Sequence, residues 1–352
     1  RARLMPFLGT GTGGDGGGTF NFGQDSSFAG AKTSGSAAAQ DANDIGDFYY
    51  APPTDYLALC SDNLPSPEIA LPGENFSTNL WLADDASPRT LTGFGHQSDF
   101  VWVKHRGSAS INHTLVDTLR GGEEMLASNT TAAEDNGSHG KITSWNADGI
   151  TVADGTSGTY PKLYFNDLNP FGSGGGDYVG WSWKGGGAPT ADNNNAAGTV
   201  PDLGSVMIDG VASTAALAGT IAATKISANT TSGFSIIAYT GTGSAGTVAH
   251  GLSETPDMVI VKERSGVAQW PVGVIQDPMN FTDYMALDKT NNSGDHPYWD
   301  DTPPTPSVFS LSGDGDVNES AATYIAYCFH SVEGYSKVGS YTANANADGP
   351  FF

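Results

Sequence analysis

The run Asp99-Phe100-Val101-Trp102-Val103-Lys104 returns as Asp257-Met258-Val259-Ile260-Val261-Lys262, with Arg106 and Arg264 at matching places beyond. Each copy is a short apolar, β-branched stretch bounded by charge, the pattern of a buried strand. Valines occupy one face, and Phe100 with Trp102, or Met258 with Ile260, occupy the other. A strand apolar on both faces needs cover above and below, which places it mid-sheet. Two such strands predict two similar units.

The repeat extends well beyond these runs. Phe76-Ser77 matches Phe234-Ser235, Trp81 matches Tyr239, and Gly93 matches Gly251, all at the 158-residue spacing that separates Asp99 from Asp257. Further on, 126–131 parallels 285–290 and Ile150-Thr151-Val152 parallels Val308-Phe309-Ser310. Each unit closes on an aromatic strand, Tyr178-Val179-Gly180-Trp181-Ser182-Trp183 and Tyr324-Ile325-Ala326-Tyr327-Cys328-Phe329. Their period of two puts large residues on one face and small ones on the other, where a second sheet can approach closely. That pattern predicts two-layer sandwiches.

With 352 residues there is room for two or three domains. The 47 glycines and only 15% charged residues favour short strands and tight turns over long helices. A net charge of −23 repels phosphate backbones and anionic membrane surfaces, so neither nucleic acid nor membrane insertion is expected. It suits plain solubility, or a protein that meets divalent cations. No stretch approaches a membrane span of about 20 apolar residues. No signal peptide is visible. Cys60 and Cys328 read as two isolated small apolar residues, their pairing left open by the sequence. The chain opens on Arg1-Ala2-Arg3 without Met, which points to a processed or truncated product.

The expected fold is all-β, with tandem β-sandwich (jelly-roll-like) units between an extended N-terminal arm and a C-terminal strand. The arm and a proline linker cover 1–75, with one strand at Thr19–Gly23 and a long loop from Phe28 to Asp47. The first repeat covers 76–187. A Gly/Ala/Asn-rich linker or insertion covers 188–233, carrying short strands such as Val206-Met207-Ile208 and either a helix or a loop over 212–223. The second repeat covers 234–334. Residues 335–352 read as the first strand of an incomplete third repeat, with Tyr341 aligned to Tyr239. Such an unpaired strand recruits other chains, making Tyr341, Phe351 and Phe352 candidate oligomer contacts.

These motifs resemble the repeat modules of phage tail-fibre-like structural proteins. The resemblance rests on Phe20-Asn21-Phe22-Gly23-Gln24, Phe48-Tyr49-Tyr50-Ala51-Pro52-Pro53, Ala58-Leu59-Cys60, Asp99–Lys104 with Arg120-Gly121, Asn129–Glu134, Tyr178–Trp183 and Val332–Ser336. It implies that 1–75 holds the remnant of a SPRY-like domain. It also implies an extracellular or virion location, and partners among appendage proteins or surface glycans. Arg120-Gly121 has no clear counterpart in the second unit, where Asp277-Pro278 stands.

No catalytic constellation emerges. His96, His105, His113 and His139 cluster in sequence near Asp99 and Asp117, yet convergence is not written in their spacing. Adjacent carboxylates such as Asp84-Asp85 point to opposite strand faces and make poor acid/base partners. Asp314, Asp316 and Asn318 alternate like the first half of a calcium loop, without its later glycine and glutamate. They are the candidate metal ligands, with calcium the candidate ion and no other cofactor expected. Gly9–Gly18 lacks the Lys-Ser/Thr of a phosphate loop. Tyr298, Trp299 and Trp270 serve either as sugar platforms or as core. The leading expectation is a non-enzymatic structural protein that contacts surface glycans. Two alternatives stand beside it, a filament subunit completed by terminal strands and a glycan-cleaving spike enzyme.

Overall fold

The computed structural model describes residues 26–27, 39–64, 67–172, 175–276, 279–346 and 349. The chain divides into two units, Arg1–Pro67 and Glu68–Phe352. In the first, residues 39–64 are gathered by one carboxylate rather than laid out as an extended arm. Asp41 accepts from the amides of Asn43, Ile45 and Ala58 and from Asn63 Nδ2. The strand expected at Thr19–Gly23 lies outside the described residues.

The larger unit holds both repeats. The first module contains β1 (Phe76–Leu82), β2 (Arg89–Thr92), β3 (Phe100–His105), β4 (Thr114–Asp117), β5 (Glu124–Ala127), β6 (Asp135–Asn136), β7 (Lys141–Asn146), β8 (Gly149–Ala153) and β9 (Asp177–Trp183). A six-stranded sheet in the order β1-β9-β3-β4-β5-β6 faces a three-stranded sheet, β2-β8-β7. The closing strand β9 inserts between β1 and β3, paired to both.

The second module carries β10 (Val206–Ile208), β11 (Val211–Ala212), β12 (Ala223–Asn229), β13 (Phe234–Thr240), β14 (Gly246–Ala249), β15 (Met258–Glu263), β16 (Pro271–Val274), β17 (Asp283–Ala286), β18 (Gly294–Asp295), β19 (Val308–Leu311) and β20 (Thr323–Phe329). Its large sheet runs β11-β10-β12-β13-β20-β15-β16-β17-β18, and β14 pairs with β19 opposite. From β13 onward this is the order of the first module, and the register is the same. Phe76 lies across from Trp183 as Phe234 does from Phe329, and Leu91 across from Ile150 as Ala249 does from Val308. The segment read as a linker therefore supplies β10 to β12, which widen the second sheet. No helix forms over 212–223.

Three apolar clusters build four layers. Val101, Val103, Ile150, Val152 and Tyr178 fill the first sandwich, and Val259, Val261, Phe309, Tyr324 and Ala326 the second. The third cluster lies between the modules and joins Phe100, Leu115 and Leu126 to Ile236, Ile260, Trp270 and Tyr327. The two large sheets thus pack face to face, each backed by its own small sheet, which is why β3 and β15 are apolar on both faces. Equivalent residues meet at this interface, with the rings of Trp183 and Phe329 6.3 Å apart. Inside the first sandwich, Gly180 leaves room for the Trp81 ring, since a Cβ there would sit 2.9 Å from Trp81 Cζ3. The second module holds the smaller Tyr239 at the place of Trp81 and Ala326 at the place of Gly180.

Residues 337–346 form no strand, contrary to the expected third repeat. Their geometry repeats the end of the first module. Asn344 Oδ1 accepts from the Asn346 amide at 3.0 Å as Asn193 Oδ1 does from Asn195 at 3.1 Å. Gly349 and Gly198 follow at φ +69° and +77°. The tail is therefore the closing loop of module two. The alignment of Tyr341-Thr342 with Tyr239-Thr240 is a weaker guide than this turn.

Candidate functional site

The residues that recur between the modules act as fasteners. Asp99 Oδ2 accepts from the amides of Gly185 and Gly187, and Asp257 Oδ2 from that of Ser331, so each aspartate pins the chain leaving the closing strand. Burial raises the Asp99 pKa against those bonds. Lys104 Nζ donates to the carbonyls of His105, Ser108 and Ile111, while Lys262 Nζ donates to those of Glu263 and Gly266. Each lysine holds the loop after its own strand. Burial lowers both, Lys262 to about 8. Tyr178 and Tyr324 donate their hydroxyls to Leu163 O and Gly315 O and stack on Trp81 and Tyr239.

The candidate calcium residues belong to this scaffold. Asn318 Oδ1 accepts from the Thr242 amide and its Nδ2 donates to Ser244 O. In the first module Asn166 does the same with Asp84 and Ala86. The turn 314–318 is thus the counterpart of 162–166, where Lys162 and Tyr164 replace Asp314 and Asp316. The equivalent turn in the first module forms with Lys162 and Tyr164 at those places, so the acidic pattern is not what shapes it. Asp314 Oδ1 caps the short helix α1 (Gly315–Asn318) by accepting from the Asp316 amide, and Asp316 accepts from Tyr298 Oη and the Gln269 amide. The three side chains point at separate protein donors. Among the described residues, no group of three His, Cys, Asp or Glu is arranged to hold a metal.

The histidines do not converge. His96 bridges Gly73 O and Ser182 Oγ, His105 faces Gly175 O, and His113 Nδ1 accepts from Trp102 Nε1. His139 pairs with Ser138. Trp270, Trp299 and Tyr298 are buried, so they are core and not a sugar platform. Cys60 and Cys328 are both free. Tyr341 is 67% exposed. Phe351 and Phe352 lie outside the described residues.

Two polar clefts occupy equivalent places in the modules. One, of about 470 Å³, is lined by Gln97, Asp99, Lys184, Gly185, Asp209 and Asn229 among others. The other, of about 730 Å³, is lined by Thr255, Asp257, His330, Ser331, Glu254 and Lys337 among others. Gln97, Asp99, Lys184 and Gly185 are the repeat counterparts of Thr255, Asp257, His330 and Ser331, and Thr231 borders both clefts. Most lysines and arginines among the described residues are engaged by carboxylates or carbonyls. Among the described residues, the side chains of Lys184 and Lys337 meet no ion-pair or hydrogen-bond partner, and each lines its cleft. The clefts offer amide, hydroxyl, carboxylate, ammonium and, at His330, imidazole groups, and no Phe, Tyr or Trp lines them.

The modules are locked by charges that sequence reading singled out only in part. Arg120, fully buried, donates Nε to Asp117 Oδ2 at 2.6 Å, Nη1 to Glu134 Oε1 at 2.9 Å and Nη2 to Leu115 O at 3.0 Å. Tyr327 of the second module donates to Asp117 Oδ2 and accepts from Arg120. Glu134 reaches across to Arg264 with bonds of 2.7 and 3.1 Å. Burial opposes the Arg120 charge, but Asp117, Tyr327 and Glu134 outweigh it and raise its pKa. For Glu134, burial is likewise outweighed, by Arg264 and Arg120, and its pKa is lowered. Trp270 Nε1 adds bonds to Ala127 O and Thr130 O. The lack of a counterpart for Arg120 was the one available signal, because an interface residue need not repeat.

Fold and junction together define a tandem β-sandwich protein whose two copies of one module are fused through their large sheets. The chain belongs to the family described as a domain of unknown function (DUF7483), which matches it twice, over residues 71–207 and 207–352. The matches meet at Met207, inside β10. No curated protein and no solved structure matches the chain.

Proposed function

We propose that this protein is a non-enzymatic structural component of an extracellular or virion appendage of the tail-fibre kind, touching surface glycans through its paired clefts. The observation that carries this reading is what the duplication kept. Asp99 and Asp257, Lys104 and Lys262, Tyr178 and Tyr324, and Asn166 and Asn318 all tie loops to strands. The polar cleft linings suit a hydroxylated ligand held by hydrogen bonds, and the overall charge of −23 keeps a repeated surface array soluble.

Immunogold labelling of particles from the source tests the location, with label expected on appendages. Binding of the purified chain to a panel of surface polysaccharides tests the contact, with Lys184→Ala and Lys337→Ala each expected to weaken it. Shortening of the polysaccharide by the purified chain, or label confined to the particle interior, refutes the reading.

A further inference from the structure

We infer that the outer edge of β1 is an interaction surface that pairs, strand to strand, with β1 of a second copy of this chain. Exposed strand edges present unpaired amides and carbonyls, and proteins blunt them with short strands, charges or bulges. The other edges of the large sheets follow that rule. They end in the two-residue strands β6, β11 and β18. Among the small-sheet edges, β2 carries Arg89, and β7 carries Lys141 and a register irregularity. β1 has seven residues, Phe-Ser-Thr-Asn-Leu-Trp-Leu, with no charge and no proline. Its register runs unbroken along β9. Among the described residues, no strand pairs with its other side, where Arg89 Nη1 donates to the Leu82 carbonyl at the end of the strand.

The fold itself shows what such an edge accepts. In the second module the equivalent strand, β13, is covered by β12, with Ile226 opposite Ile237 and Asn229 opposite Phe234. The segment that would play this part for β1 carries Pro65 and Pro67, which have no N–H to give to a ladder. The consequence is visible in exposure. Ala238 on β13 is 4% exposed, whereas its counterpart Leu80 on β1 is 65% exposed, with Leu82 on the same face at 67%. These leucines extend the face that already seals the modules, since Phe76 on the same side packs 5.0 Å from Trp183.

The sequence of β1 fits its own copy. Antiparallel pairing centred on Asn79 places Leu80 opposite Thr78 and Leu82 opposite Phe76 of the second copy, keeping one face apolar across the seam. The contact is isologous, so it closes as a dimer and leaves no further β1 edge.

Light scattering on the full 352-residue chain over a concentration series is expected to show twice the 36.4 kDa chain mass. The double variant Leu80→Lys/Leu82→Lys, altered only at exposed positions, is expected to return to the single-chain mass with unchanged circular dichroism and melting. In a Cys60→Ser background, Asn79→Cys is expected to form an intermolecular disulfide on mild oxidation. Three results each overturn the inference: a single-chain mass at every concentration, a mass that grows beyond the dimer, or a dimer that survives in the lysine variant.

Discussion

Replacing Arg120 with Met tests the claim that the modules are fused by a buried charge network rather than by apolar contact alone. The side chain is fully buried and donates to Asp117, Glu124 O, Glu134, Leu115 O and Tyr327. Removing it leaves Asp117 with the Leu119 and Arg120 amides and Tyr327 Oη. Glu134 keeps Arg264. Breaking one side of a buried pair costs roughly 3–5 kcal/mol, because the remaining charge stays desolvated. For the 68–352 unit, that corresponds to a melting point lowered by roughly 5–10 °C. The second module holds Val274 at the position of Asp117, so Arg120→Met/Asp117→Val imports an apolar solution the fold already uses. The double variant is expected to recover at least half of the loss, a coupling read from a double-mutant cycle by urea unfolding. A single-variant cost below about 1 kcal/mol, or strictly additive losses, refutes the reasoning, since exposed ion pairs give values of that size.

His250 gives a pH signature. Its Nε2 donates to Thr305 O while Nδ1 accepts from the Leu252 amide, so the ring is neutral, and burial lowers its pKa from 6.5 to about 4. Between those values only the unfolded chain takes the proton. Stability is therefore fully present above 6.5 and falls as pH drops toward 4, by roughly 3 kcal/mol. Urea unfolding of His250→Gln should show a visibly flatter acid limb. Asn166→Ala and Asn318→Ala should destabilise alike, by about 1–2 kcal/mol each, since each removes a buried side chain's bonds to the backbone of an adjacent loop. Added calcium should leave the melting point of the wild type unchanged. Gly149→Ala places a Cβ 2.0 Å from Leu91 O at φ +131°, and a loss above about 2 kcal/mol is expected in thermal melts.

The repeat was legible because it is written in residues with one local duty. Asp99 and Lys104 must sit at the two ends of a buried strand, and the closing strand must alternate ring and small residue, so both modules carry the marks at fixed spacing. The strand β12, Ala-Thr-Lys-Ile-Ser-Ala-Asn, was not legible. Its small polar residues have no strand periodicity of their own and are buried only because β13 and the facing sheet accept them. Asn318 looked like a ligand because an alternating acidic turn has the same local pattern with or without a cation. Its match with Asn166 in space shows the loop-holding role that the pattern hides.

By itself, the amino-acid sequence determined that two alike, all-β units exist, where their central strands lie, and that those strands are covered on both faces. Periodicity of side chains along one strand carries that information. The tertiary structure alone decided that the second cover is the other module, that Arg120 and Glu134 seal the pair, and that among the described residues no strand covers the outer edge of β1. Those outcomes depend on which sheet face meets which, and residues more than a hundred positions apart share no local pattern that announces their meeting.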